Sequence, residues 1–371
     1  MRETSAEHMN HIPLYLQNIS QVWVDEEVRD VPLTRRVKER LGHLPWTLLS
    51  AEDSIPQAQG SVLYLKHYKG AFWRWCPGTK SYRCCGYRII HIGENCPLDC
   101  SYCILKSYFQ DQVLKVWANQ DDLFAELDQN IKKRPQTFFR AGTGEFTDSL
   151  ALEAVTGYSR DLVSYVNDCP NLGLELKTKV VDLSWMEGVK RPQNILPAWS
   201  LNAPEVVSQE ECQTTSLKER LQAARECARS GFRVCLHFDP IIHFPGWEKG
   251  YGQVVDMIFD YLRPKDIAYL SLGSFRGMPE LKAHIARHWP GSKYIYDEYV
   301  TGLDGKFRLL RPLRVEQFRF LVGRLQKHGL HKQLYLCMES DEVWKAVFGY
   351  TPADLGGLSK HLLAQAFGWQ R

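Results

Sequence analysis

Residues 88–103 read Arg88-Ile89-Ile90-His91-Ile92-Gly93-Glu94-Asn95-Cys96-Pro97-Leu98-Asp99-Cys100-Ser101-Tyr102-Cys103, and this stretch decides the fold. The β-branched Ile89, Ile90 and Ile92 predict a strand over 88–92. Cys96, Cys100 and Cys103 follow on the loop after it, at C-x3-C-x2-C spacing. Three thiolates so spaced can hold three irons of a 4Fe-4S cubane and leave the fourth open to a cofactor. A structural zinc site would require a fourth ligand, and core cysteines need no such spacing, so spacing and placement together point to the cluster.

Outward from this loop, short apolar runs alternate with helix-like segments, the pattern of βα units. Strands are predicted at 88–92, 137–141, 173–178, 195–201, 233–238 and 267–272, all parallel. Leu123, Leu127 and Ile131 recur at helical spacing, as do the apolar residues of 150–166. Ser216 and Glu219 form an S-x-x-E capping box that opens a helix through Ala228, and Gly231 ends it. Right-handed crossovers would curl these units into an α/β fold, a partial (β/α)6 barrel over 86–274, with functional loops at the C-terminal ends of the strands. Residues 1–85 form an N-terminal extension and 275–371 a C-terminal appendage, with helices expected near 313–327 and 355–367.

Composition narrows the classes further. The 371 residues carry 46 Lys plus Arg against 43 Asp plus Glu, so net charge leaves no overall footprint for nucleic acid. The first twenty residues are too polar for a signal peptide and no stretch is long and apolar enough to span a bilayer, so a cytoplasmic protein is expected. Six of the eleven cysteines fall between Cys76 and Cys103, which suggests metal or redox chemistry. Cys169, Cys212, Cys227 and Cys337 read as core or incidental.

The cysteine triad on the first-strand loop resembles the radical S-adenosylmethionine (SAM) superfamily. That resemblance implies a 4Fe-4S cluster on Cys96, Cys100 and Cys103, SAM on the open iron, and an external electron donor such as flavodoxin or ferredoxin. It also implies SAM contacts from Gly142, Gly144 and Glu145 after the second strand, Lys179 after the third, Ser200 and Asn202 after the fourth, and Tyr102 on the adenine side. Within the superfamily, residues 88–307 are similar to the spore photoproduct lyase family, which repairs a methylene-bridged thymine dimer in DNA. The likeness rests on the triad, on Lys177-Thr178-Lys179, on Trp199-Ser200-Leu201-Asn202-Ala203 and on residues 239–251, which read DPIIHFPGWEKGY. The chain departs from that family at two points: the loop Arg140–Asp148 has no hydrogen-donating cysteine, and Ile104 stands where a tyrosine follows the last cluster cysteine. Only Tyr102 of the expected tyrosine pair remains as a catalytic candidate.

Other residues extend the candidate site. Alternation along the fifth strand puts Cys235, His237 and Asp239 on one face, so Cys235 is a candidate replacement hydrogen donor, or simply a buried thiol. Cys76, Cys84 and Cys85 are candidates for a second iron-sulfur cluster, although adjacent cysteines suit one cubane poorly; a zinc site, a redox pair and free thiols are the alternatives. Residues 61–90 lack Asp and Glu and interleave Lys66, Lys69, Arg74, Lys80, Arg83 and Arg88 with Tyr64, Tyr68, Phe72, Trp73, Trp75, Tyr82 and Tyr87. Such a segment either binds nucleic acid by phosphate neutralisation and base stacking or packs as an aromatic layer with a basic rim. Downstream, Asp304-Gly305 signals a turn, and Lys306, Arg308 and Arg311 beside it are candidate DNA contacts.

The expected activity is therefore radical SAM chemistry on DNA, a carbon-carbon lyase acting on a flipped lesion. The competing readings are a radical SAM oxidoreductase or transferase on RNA, a peptide or a small metabolite, and a non-enzymatic iron-sulfur nucleic-acid adaptor.

Overall fold

The strands around the cysteine loop pair in the order in which they occur in the chain. The computed structural model describes residues 12–50, 60–78, 81–109 and 111–369. In it β1 (Arg88–Ile90), β2 (Phe139–Gly142), β3 (Leu172–Thr178), β4 (Ile195–Ser200), β5 (Val234–Ile241) and β6 (Ile267–Ser274) are successive parallel neighbours. The sheet curls into a half-barrel. β4 and β6 are buried at every position, as parallel strands covered on both faces must be. Between β4 and β5 the helix Leu217–Arg229 opens on the expected capping box: Ser216 Oγ accepts from the Glu219 N–H at 3.3 Å, and Glu219 accepts from the Ser216 N–H at 2.8 Å.

In this sheet two strands lie beyond those expected. β7 (Leu334–Leu336) adds parallel to β6, and Trp73–Trp75 pairs antiparallel with β1. A strand of three residues is too short to show a period, which hides both in the sequence.

The N-terminal region, which shows no clean repeat, contributes to a second sheet in the order Trp46–Leu49, Ile19–Asp25, Ser61–Lys66, Leu114–Trp117, Gly93–Glu94. Its last two strands come from beyond residue 85, beside the cysteine loop. The helix Pro32–Leu41 connects the parallel strands Ile19–Asp25 and Trp46–Leu49, with Pro32 at the first position, where a missing N–H costs nothing. At the other end, Tyr299–Thr301 and Phe307–Leu309 form the hairpin signalled by Asp304-Gly305, and the helices Arg311–Lys327 and Leu358–Phe367 lie close to their expected positions. Among the described residues no helix is long and apolar enough to cross a membrane.

Candidate active site

The loops at the C-terminal ends of the barrel strands enclose a cavity of about 210 Å³. Cys96, Cys100 and Cys103 lie on its wall, none in a disulfide. Local geometry brings them there. Asn95, at φ +68°, turns the chain into the loop, and its amide Nδ2 donates to the Asp111 and Val113 carbonyls at 3.0 and 2.9 Å. Asp99–Cys100 pairs antiparallel with Glu211–Cys212, and the Cys103 N–H closes a turn on the Cys100 carbonyl at 3.2 Å.

These three residues fit an iron-sulfur cluster by donor chemistry: three soft sulfurs converge on one cavity, with Lys179 close enough to favour the Cys100 thiolate. Burial pushes the Cys96 and Cys100 thiols up, so metal binding must displace their protons. Among the described residues no group of three His, Cys, Asp or Glu stands close enough together for a single metal ion.

The same cavity is lined by Gly144, Glu145, Lys179 and Ser200. Burial raises the Glu145 pKa, opposed by the ammonium of Lys177. Asp148 ties the β2 loop to the end of β3: its Oδ1 accepts from Thr178 Oγ1 at 2.7 Å and from the Leu150 and Ala151 N–H groups at 2.9 and 3.0 Å, while Oδ2 accepts from the Lys179 N–H at 2.9 Å. The Lys179 ammonium stands 5.7 Å from the centre of the Tyr102 ring. Tyr102 lines the cavity, but its hydroxyl donates to Glu211, whose other oxygen accepts from Arg220 Nη2 at 2.7 Å. Burial disfavours the charged Glu211, yet Arg220 and Lys179 hold its pKa below the usual carboxylate range. Arg220 also donates to the Ser200 carbonyl at 2.8 Å, so one buried guanidinium positions both the Tyr102 and Ser200 sides.

Other expected residues sit elsewhere. Asn202 is buried outside the cavity lining, with its Nδ2 donating to the Pro240 carbonyl at 3.1 Å and its Oδ1 accepting from Tyr251 and Ala203. It braces the end of β5 and has little left for a ligand. Gly142 also lies off the lining; a Cβ there would stand 2.5 Å from the Glu175 carbonyl oxygen, so it permits strand packing. Cys235 is fully buried near Tyr269, Glu175 and Arg140 and borders neither cavity.

The basic residues also depart from expectation. Lys306 is only 7% exposed, lines the main cavity and donates to the Tyr108 hydroxyl at 3.1 Å. Arg308 is 2% exposed, pairs with Asp304 at 2.6 Å and stacks on Tyr82 at 3.9 Å, so it holds the hairpin together and is not free to meet a phosphate. Arg311 is exposed, in the first turn of its helix. In the basic aromatic segment Tyr64, Phe72, Trp73 and Tyr87 are buried; Trp75 is 64% exposed, with the Arg88 guanidinium 3.1 Å from its ring centre. Lys80 lies outside the described residues.

A second cavity of about 90 Å³ adjoins the first. Cys76, Cys84 and Cys85 line it together with Cys337, which had read as incidental. Beneath it His237 Nδ1 stands 2.6 Å from Ser271 Oγ and its Nε2 3.3 Å from Glu175. Burial opposes ionisation of Glu175, but His237 and Arg140 bring its pKa down to about 2. Sequence reasoning gave no site role to Lys177, Asp239 or Arg276, all shared by the two cavities; Arg276 pairs bidentately with Asp239 at 3.1 and 3.3 Å. Their signal was position, since each sits at the C-terminal end of a barrel strand or just past it.

Residues 80–305 match the family model for spore photoproduct lyase. The chain is 23% identical over 208 residues to the spore photoproduct lyase of Clostridium acetobutylicum, covering 56% of this chain and 62% of that protein. A Geobacillus relative with the same description is 25% identical, and again 62% of its length is spanned. The Bacillus subtilis lyase is 22% identical, with 70% of this chain and 71% of the relative covered. A solved spore photoproduct lyase double mutant with bound AdoMet and dinucleoside spore photoproduct shares the fold at a TM-score of 0.75 and 18% identity, covering 89% of this chain and 100% of that one. The family model spans more than half of the residues, and by that measure the chain belongs to the spore photoproduct lyase family.

Proposed function

We propose that this protein is a radical SAM lyase that repairs a methylene-bridged thymine dimer in DNA. The observation that carries the reading is the convergence of Cys96, Cys100 and Cys103 with Glu145, Lys179 and Ser200 on one cavity. The family's relatives are named for this reaction, and a solved one holds AdoMet and dinucleoside spore photoproduct.

When bound, the cluster and SAM supply a 5'-deoxyadenosyl radical that removes a hydrogen atom from the substrate, with the electron coming from an external donor of the flavodoxin or ferredoxin class. Cys96, Cys100 and Cys103 hold the cluster. Glu145 accepts from the SAM ammonium, Lys179 pairs with its carboxylate, and Ser200 bonds its ribose. Tyr102, its hydroxyl committed to Glu211, offers a ring face to the adenine. Leu98, Ile104, Leu105 and Phe275 keep water from the reacting centre. Lys306, facing the same cavity, meets a phosphate of the flipped dinucleotide, and Trp75 stacks on an unpaired base outside.

The test is anaerobic reconstitution followed by assay with dinucleoside spore photoproduct. Repaired thymine formed together with 5'-deoxyadenosine supports the reading. SAM cleavage without repair shifts the substrate to RNA, a peptide or a small metabolite, a second reading favoured by the buried state of Arg308 and the thiol-free β2 loop.

A further inference from the structure

The second cavity gathers four thiols from distant parts of the chain. Cys76, Cys84 and Cys85 precede β1, whereas Cys337 directly follows β7. Their approach is built into the fold. The Arg83 N–H donates to the Glu339 carbonyl at 3.0 Å, Arg83 Nε donates to Asp341 at 2.6 Å, and the Cys76 N–H donates to the Tyr87 carbonyl at 3.1 Å. Cys337 is fixed by its N–H on the Leu272 carbonyl at 2.8 Å, and the next residue, Met338, adopts φ +56°. A non-glycine residue in the left-handed region is uncommon and marks a turn held by its surroundings.

None of the four is in a disulfide, and two of their sulfurs accept hydrogen bonds. The Gly86 N–H donates to Cys84 Sγ at 3.4 Å, and Arg276 Nη2 donates to Cys337 Sγ at 3.6 Å; hydrogen bonds to sulfur are one way proteins tune iron-sulfur centres. Arg140, Lys177 and Arg276 line the same cavity, balanced by Glu145, Glu175 and Asp239. At Gly78 a Cβ would stand 3.4 Å from Cys84 Sγ and 4.0 Å from Cys76 Sγ, ordinary contact distances, so the two sulfurs flank one turn of the chain.

The geometry points to a second 4Fe-4S cluster, with thiolates supplied by Cys76, Cys337 and the Cys84–Cys85 pair, beside the SAM cavity. The hydrogen bonds to Cys84 Sγ and Cys337 Sγ and the adjoining cavity of the cysteine triad favour a cluster, and zinc is an outcome that the metal analysis distinguishes. Cys337 brings the set to four, so the adjacent pair need supply only two corners, on neighbouring irons; with all four corners held by protein, this cluster has no open iron and does not bind SAM. Cys76, Glu145, Lys177, Asp239 and Arg276 border both cavities, which places the cluster against the substrate space. The site goes beyond the proposed reaction and stands or falls separately from it.

The full chain would be reconstituted anaerobically with ferrous iron and sulfide, and its metal content and Mössbauer spectrum measured. About eight irons are expected in the wild type, about four in Cys96→Ala/Cys100→Ala/Cys103→Ala, and about four in Cys76→Ala/Cys337→Ala. In the wild type, SAM should perturb the signal of one cluster and leave the other unchanged, a readout that needs no variant to fold. Absence of iron from the triad variant, wild-type iron that responds to SAM in full, or zinc in place of iron would each overturn the second cluster. A triad variant that keeps its cluster while the wild type fails to cleave SAM would retain this site and remove the proposed reaction instead.

Discussion

Asp148 Oδ2 accepts the backbone N–H of Lys179 at 2.9 Å, joining the loop after β2 to the end of β3 beside the cavity. Both loops lose their mutual register without this carboxylate, since its other oxygen holds Thr178, Leu150 and Ala151. Asp148→Ala should lower SAM affinity about tenfold or more while iron content is unchanged, and destabilise the fold by about 1–3 kcal/mol. Equilibrium dialysis with SAM and thermal melts check both; full SAM affinity would mean that Lys179 is positioned by other means.

Glu145 should make SAM binding depend on pH. Burial raises its pKa, and only the carboxylate form pairs with an ammonium. Affinity should therefore fall as pH drops through a range above that of an ordinary glutamate. Glu145→Gln should bind SAM weakly and show a flat profile over that range. Parallel profiles for the two proteins would remove Glu145 from the ammonium site.

The buried Arg220–Glu211 pair gives a stability prediction. Arg220→Met leaves Glu211 buried without its cation, at a cost of about 3–5 kcal/mol. Because the folded-state pKa of Glu211 is lowered, its contribution is present above the unfolded value and lost as pH falls through the folded one. Denaturant unfolding of wild type and variant should therefore differ most near neutral pH and converge in acid. A difference constant with pH would argue against an ionic role.

Trp75 and Arg308 should separate DNA binding from folding. Trp75→Ala removes an exposed ring and should weaken single-stranded DNA binding by about 1–3 kcal/mol, with little change in stability. Arg308→Ala removes a buried ion pair and a stacked guanidinium, so its main effect should be a lower melting temperature. Fluorescence anisotropy and melting curves distinguish the two; undiminished DNA affinity in Trp75→Ala would dismiss the stacking platform.

The barrel was legible because its strands carry strong signals: β-branched and apolar runs at regular intervals, and one capping box with both partners in place. The triad was legible for the same kind of reason, a local spacing with one chemical meaning. Residues whose role depends on distant partners were not. Alternation grouped Cys235 with His237 and Asp239 but could not give its depth, and it borders neither cavity. Basic character suggested that Arg308 would face solvent, whereas Asp304 four residues earlier neutralises it within the hairpin. Cys337 looked incidental because the thiols it meets belong to a loop at the far end of the chain.

The central claim is that Cys96, Cys100 and Cys103 make the cavity with Glu145 and Lys179 a site of SAM cleavage. Its most direct measurement is 5'-deoxyadenosine production from SAM by the reduced, reconstituted protein, with and without the three thiols. Wild type should form it and Cys96→Ala/Cys100→Ala/Cys103→Ala should not, even where that variant still holds iron elsewhere. Equal 5'-deoxyadenosine production by both proteins, or none from a wild type with a full complement of iron, would contradict the account.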